Sequence, residues 1–242
     1  RLMYRMMVDQ LQSTGILLPV EDSNAGGRAP GECIQMGLKR YPEYFRGKTG
    51  TLLGPDARPG LYALFNLEAG DIVQAGDLDL SETYFPGWMT AILRHGTGKH
   101  VPVLSLNFSP EGGHRHADNL SLFYGDGGQT VLGDHGYVGD MPVNRWIVST
   151  FSHNLVVVDR QEQRFRDRES PRRPRLEMMF TTPRASAVEA SSDVYRQCSD
   201  YRRLVILLKG AENRTVAVDV FRVSGGKNHD YRLFSEIASS DA

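Results

Sequence analysis

The chain has 242 residues, a formal net charge of -1 and 24% charged residues, a balance with no global electrostatic footprint for nucleic acid or an anionic membrane surface. No apolar run reaches the roughly 20 residues of a membrane-spanning helix. Its cysteines, Cys33 and Cys198, make no CxxC pair and support one bridge at most, which excludes a disulfide framework.

The sequence opens on Arg1 rather than Met with a helical pattern already under way, so it reads as a fragment of a longer chain. Leu2, Met3, Met6, Met7, Gln10 and Leu11 recur at three- and four-residue spacing, which predicts an amphipathic helix ending near Gly15. Pro19 to Pro30 (PVEDSNAGGRAP) is punctuated by prolines and Gly26-Gly27 and predicts a loop. A second helix is expected over Gly31 to Tyr44. A third, short one is expected over Arg58 to Asn66, with Leu61, Leu64 and Phe65 on one side.

After Glu82 the period changes. Met89–Leu93, Val101–Phe108, Asn119–Tyr124, Thr130–Leu132, Asn154–Val158, Leu176–Thr181, Leu204–Leu208, Thr215–Val223 and Tyr231–Phe234 read as short strands separated by Gly, Pro, Asn and Asp. Many short strands with frequent turns predict an antiparallel sandwich, so the fold class is α+β.

Gly112 to Asp159 holds His114, His116, His135 and His153, four of the seven histidines. If strand periodicity extends upstream, His114, His116, Asp118, Leu120, Leu122 and Tyr124 share one face, with the chemistry at one end and core at the other. Asp134 follows the next strand and His153 precedes the one after. These are residue types a divalent transition metal selects, through neutral imidazoles and an ionised carboxylate. HxH by itself is a weak signal, and isolated histidines are commonly surface residues.

The segments Gly113-His114-Arg115-His116-Ala117-Asp118, Leu132-Gly133-Asp134-His135-Gly136-Tyr137 and Ser152-His153-Asn154-Leu155-Val156-Val157-Val158-Asp159 resemble, in order, three signatures of the heparinase II/III-like polysaccharide lyases. That family includes heparin, heparan sulfate and alginate lyases. The resemblance implies residues 1–82 as the last helices of an (α/α) toroid, and 83–242 as an antiparallel β-sandwich truncated at its end, with the substrate cleft between them. It implies a mainly structural zinc on His116, Asp134 and His153, and His114 facing the substrate uronate, with Tyr137 a second catalytic candidate. The implied reaction is β-elimination: the C5 proton of a uronic acid leaves with the glycosidic oxygen at C4, and a cationic or hydrogen-donating partner stabilises the developing enolate. The substrate would be an anionic uronate polysaccharide or oligosaccharide, met in the periplasm or outside the cell. The family's catalytic tyrosine lies ahead of the first motif and is expected upstream of Arg1, so this chain by itself should show little lyase activity. His135 stands where the family often has proline and adds an imidazole that competes for the metal.

Other readings remain open. His116-Ala117-Asp118 with His153 also fits the two-histidine-one-carboxylate iron site of Fe(II) oxygenases, and a non-catalytic carbohydrate-binding sandwich would need the metal only as a staple. The arginines of Arg160–Arg175, Arg164, Arg166 and Arg168 among them, could bind carboxylates or sulfates. Glu162, Asp167 and Glu169 favour a solvated hairpin tip instead. Tyr84, Trp88 and Trp146 could stack on sugars, although aromatics in a sandwich are more often core.

Overall fold

The computed structural model describes residues 2–23, 26–54, 60–68, 75–110, 114–126, 128–139, 141–165, 167, 171–212 and 214–235. Arg58, Gly112, Gly113, Arg166, Arg168 and Glu169, all part of sequence expectations, lie outside these residues.

The first part is helical: α1 (Leu2–Asp9), α2 (Gly31–Arg40), α3 (Pro42–Phe45), α4 (Thr49–Leu53) and α5 (Leu61–Asn66). Tyr4, Val8, Leu11, Ile34, Leu38, Phe45 and Leu52 make its core, with the Tyr4 and Phe45 rings edge to face at 6.0 Å. The expected first helix stops at Asp9, short of Gly15. Beyond it the chain reverses, with Leu11 bridging to Leu17 and Gly15 at φ +79°, where a Cβ would stand 2.0 Å from the Thr51 carbonyl oxygen. The buried Arg94 guanidinium, reaching from the sheet, donates to the Asp9 and Leu11 carbonyls at 2.9 and 2.6 Å, satisfying groups a helix end leaves open. The expected second helix breaks at Tyr41 (φ -139°, ψ 60°), because the Pro42 ring disfavours helical backbone in the residue before it. Leu61, Leu64 and Phe65 share α5 but are 75%, 71% and 79% exposed rather than buried.

The remainder is antiparallel sheet, apart from a short helix α6 (Asn144–Ile147) and a 3₁₀ turn at Thr150–Ser152. One five-stranded meander runs in the order β1 (Thr83–Phe85), β2 (Thr90–Arg94), β3 (Val103–Asn107), β4 (Ser121–Asp126), β5 (Gln129–Leu132). A four-stranded sheet follows the order β10 (Thr215–Gly225), β9 (Cys198–Lys209), β8 (Ala185–Ser191), β7 (Arg175–Thr181), and β11 (His229–Tyr231) pairs with β6 (Val156–Val158). The α+β expectation is met. β1 and β8 have no counterpart among the expected strands, and β9 extends well beyond Leu204–Leu208; β8, ASAVEAS, is built of small residues with little strand propensity.

Pairing fixes what each face does. Ala91, Leu106 and Leu122 are register partners and, with Leu93 and Leu104, pack against Val188, Ala190, Val205 and Leu207 of the second sheet. On the opposite face Ile92, Val103 and Phe123 are covered by Leu18 and Val20. The meander is therefore buried on both sides, and the segment that seals its outer face leads into Glu21 and Asp22 beside the ends of β3 and β4.

Candidate metal centre and adjoining groove

His114 to Asp118 precede β4 in a turn and irregular segment instead of lying on a strand, so the expected shared strand face is not formed. His116 is held by its backbone: its amide donates to Glu21 Oε2 at 2.6 Å, and Arg172 Nη1 donates to its carbonyl at 3.2 Å. His153 follows a 3₁₀ turn (Thr150–Ser152) that brings the Ser149 carbonyl within 2.7 Å of its Nδ1. Asp134 follows β5, with Oδ1 accepting from the Gly136 amide at 2.7 Å. Asn154, fully buried, ties these pieces together by donating to the Leu122 and Gly133 carbonyls at 2.9 and 2.8 Å.

The result is one cluster. His116, Asp134 and His153 are 0%, 7% and 2% exposed, and one ligand atom from each lies within 4.8 Å of the others. His116 Nδ1 is 3.3 Å from His153 Nε2, which is 3.4 Å from Asp134 Oδ2. The opposite nitrogens face outer acceptors: His116 Nε2 meets Asp22 Oδ1 at 3.0 Å, and His153 Nδ1 meets the Ser149 carbonyl. With protons turned outward, the neutral rings aim lone pairs inward beside a carboxylate. Electron-pair donors converging in a buried pocket, with outer acceptors fixing both tautomers, are the arrangement a divalent cation requires.

Asp118 does not belong to the cluster. Its Oδ2 accepts from Asn107 Nδ2 at 2.7 Å, within a buried network that includes Glu21, Ser109 and Arg115. Burial, followed by the nearby Asp118 charge, raises the Glu21 carboxyl above its ordinary value. His135 stays outside as well, its ring set between Trp146 at 5.2 Å and Phe234 at 6.4 Å.

His114 has the opposite environment. Its side chain is 91% exposed, and Nδ1 lies 2.7 Å from Asp22 Oδ2. With Asp22, Tyr137, Asn144 and Arg145 it lines a groove of about 1020 Å³. Arg164 is engaged elsewhere, its Nη2 3.2 Å from Asp193 Oδ1, and is absent from the groove's lining. Arg172 is 3% exposed and supports His116, which overturns the solvated-tip reading at that position. Tyr84 stacks on Phe108 at 6.0 Å, so it is packed rather than free for a sugar. Asp22, Glu21, Arg145 and Asn154 were not singled out from the sequence. Asp22 and Glu21 lie in a stretch whose composition signals only a turn, and the bonds that give them roles span more than 90 residues.

A helical segment against an antiparallel sandwich, with a buried His-Asp-His cluster below a polar groove, defines an α+β protein with a candidate metal centre. The chain belongs to the heparinase II/III-like family: the profile described as Heparinase II/III-like, C-terminal, matches residues 87–239. Among solved structures it is similar to the heparan sulfate lyase HepC from Pedobacter heparinus, at TM-score 0.63 and 16% identity, over 92% of this chain and 32% of that one. A heparinase III described as the BT4657 gene product gives 0.63 and 17% identity over 92% of this chain and 32% of that one. Another heparinase III gives 0.63 and 13%, over 91% and 33%. At these identities the likeness is one of fold, and the chain spans about a third of the length of those structures. No curated protein matched the chain. Among the described residues no helix is long and apolar enough to cross a membrane.

Proposed function

We propose that the chain forms part of a lyase that cleaves a uronate-containing polysaccharide by β-elimination, with zinc held by His116, Asp134 and His153. The observation that carries this reading is the pairing of an exposed His114 on the groove wall with a buried ligand cluster two residues on, in a chain of the heparinase II/III-like family. Zinc bound there would fasten three sequence-distant segments and neutralise the carboxylate and inward lone pairs.

The reacting groups are the chain's own. With Nδ1 committed to Asp22, His114 has Nε2 left for the groove, and in its doubly protonated form it would donate from there to the uronate carboxylate and stabilise the enolate that forms as the C5 proton departs. Arg145, exposed on the same wall, supplies the guanidinium for a second carboxylate or sulfate. Tyr137 lines the groove and would contact the sugar. The proton-relaying tyrosine is proposed to come from outside this chain, so the 242 residues alone should turn over slowly. The setting of such chemistry is periplasmic or extracellular, where anionic polysaccharides are met.

The oxygenase alternative needed Asp118 as a ligand beside His116 and His153, but the group that converges with them is Asp134, and Asp118 Oδ2 accepts from Asn107 instead. The test is incubation of the full-length gene product with heparan sulfate and with alginate. Accumulation of an unsaturated uronate with ultraviolet absorbance supports the lyase. Retention of polymer without product would support a binding module, and iron-dependent oxygen consumption would support an oxygenase; either overturns the proposal.

A further inference from the structure

We infer that Asp22 is a positioning residue that couples the metal clamp to the groove-facing histidine. The inference rests on the lyase reading above and adds a residue from outside the three motifs. One carboxylate serves both imidazoles: Oδ1 lies 3.0 Å from His116 Nε2 and Oδ2 lies 2.7 Å from His114 Nδ1. The hydrogen bond at one ring nitrogen decides which role the other is free to take. On His116, a proton held at Nε2 leaves Nδ1 as a lone pair toward Asp134 and His153. On His114, a proton held at Nδ1 leaves Nε2 for the groove. Asp22 therefore sets the inward face of a metal ligand and the outward face of a substrate-facing residue with the same group.

The residues flanking Asp22 are held on both sides. Glu21, at a left-handed φ of 57°, accepts from the His116 amide and from Ser109 Oγ, each at 2.6 Å. The Ser23 carbonyl accepts from the Tyr137 amide at 3.0 Å. A non-glycine residue in that conformation costs roughly 1 kcal/mol or more and persists only where its surroundings enforce it. The residues on either side of Asp22 are thus bonded to both neighbours of the site, Glu21 through its side chain to the His116 segment and Ser23 through its carbonyl to Tyr137. Its side chain is 23% exposed, open enough to reach His114 on the surface and buried enough to reach His116 beneath it.

The test uses the whole 242-residue chain, stripped of metal, as parent, Asp22→Ala and the isosteric Asp22→Asn. Imidazole ¹⁵N shifts are read at a pH where both rings are neutral, and Zn²⁺ affinity is read by chelator competition. The parent should hold His116 with its proton on Nε2 and His114 with its proton on Nδ1. Asp22→Ala should disturb both tautomers and weaken Zn²⁺ binding about 10- to 100-fold. Asp22→Asn, with one acceptor oxygen instead of two, should disturb at least one. Parent-like shifts on both rings in a folded Asp22→Asn would overturn the inference, and so would weaker zinc with both tautomers unchanged, since that marks a purely structural role. Neither readout requires turnover, so an absence of lyase activity in the full-length gene product would sink the functional reading and leave this one to be decided by the spectra.

Discussion

His116 Nδ1 and His153 Nε2 face each other across 3.3 Å, and in neutral rings neither has a proton to offer, because the outer nitrogens are committed to Asp22 and to the Ser149 carbonyl. Two lone pairs and a carboxylate oxygen that converge without a donor repel one another. A cation between them would turn that repulsion into binding.

His116→Ala should therefore lose zinc by at least about 100-fold in affinity and unfold at lower temperature; occupancy at one hundred times Kd contributes about 2.7 kcal/mol to the parent. His114→Ala, two residues away but on the exposed side, should keep its zinc. Metal content of the purified variants and their melting curves give the readout, and equal zinc loss in both would refute the division of roles.

Turnover should divide the same residues differently. In the full-length gene product, His114→Ala should lower kcat by about 10²- to 10³-fold with zinc unchanged. Arg145→Ala should raise KM for the anionic polymer. Arg164→Ala should leave KM alone, because Arg164 is bound to Asp193 away from the groove. A KM effect from Arg164 and none from Arg145 would show that the groove has been misassigned.

Between the sheets, Arg203 is fully buried. It donates to Asp219 through Nε at 2.9 Å and Nη2 at 2.5 Å, and through Nη1 to the Leu120 and Asn154 carbonyls. Arg203→Met removes the cation beside Asp219, which keeps the Tyr231 hydroxyl, and takes a donor from the Leu120 and Asn154 carbonyls, and should cost about 3–5 kcal/mol. Adding Asp219→Leu should recover part of the loss. Urea denaturation measures both, and a single variant within about 0.5 kcal/mol of the parent would contradict the account.

Burial raises the phenols of Tyr195 and Tyr201, and pushes Tyr231 up to about 12, the Arg203 charge opposing and Asp219 reinforcing. Above pH 10 the unfolded chain releases these protons first, so it binds fewer protons than the native state and stability falls as pH rises. The stabilisation is complete below pH 10 and is lost toward pH 12 for Tyr231. An ultraviolet titration should show these tyrosines ionising together with alkaline unfolding. Full ionisation near pH 10 with the fold intact would contradict their burial.

Much of the sheet was legible because alternation is a local signal: β2 to β5, β9 and β10 each overlap an expected strand. β8 escaped because Val188 is its one strand-favouring residue, and the rest, with Ala190 beside Val188 on the inward face, are Ala, Ser and Glu that propensity does not mark as strand. The helix boundaries moved for local and distant reasons alike, Pro42 breaking one helix and Arg94 closing the other from 83 to 85 residues away.

The site divides along the same line. His116, Asp134 and His153 could be named as candidate ligands because the three segments that carry them resemble, in order, the signatures of one family; residue type and spacing alone suggest a metal without separating His114 from His116. Which histidine is buried and which is exposed, why Asp118 is not a ligand, and why Arg145 rather than Arg164 lines the groove came only from tertiary structure. So did Asp22, which reaches His114 and His116 across 92 and 94 residues. Composition and periodicity report what a residue can do and which face it shares with its neighbours in sequence. Hydrogen bonds between distant segments depend on how the sheets and the loop over them are packed, and that packing decided which carboxylate meets His116 and which histidine lines the groove.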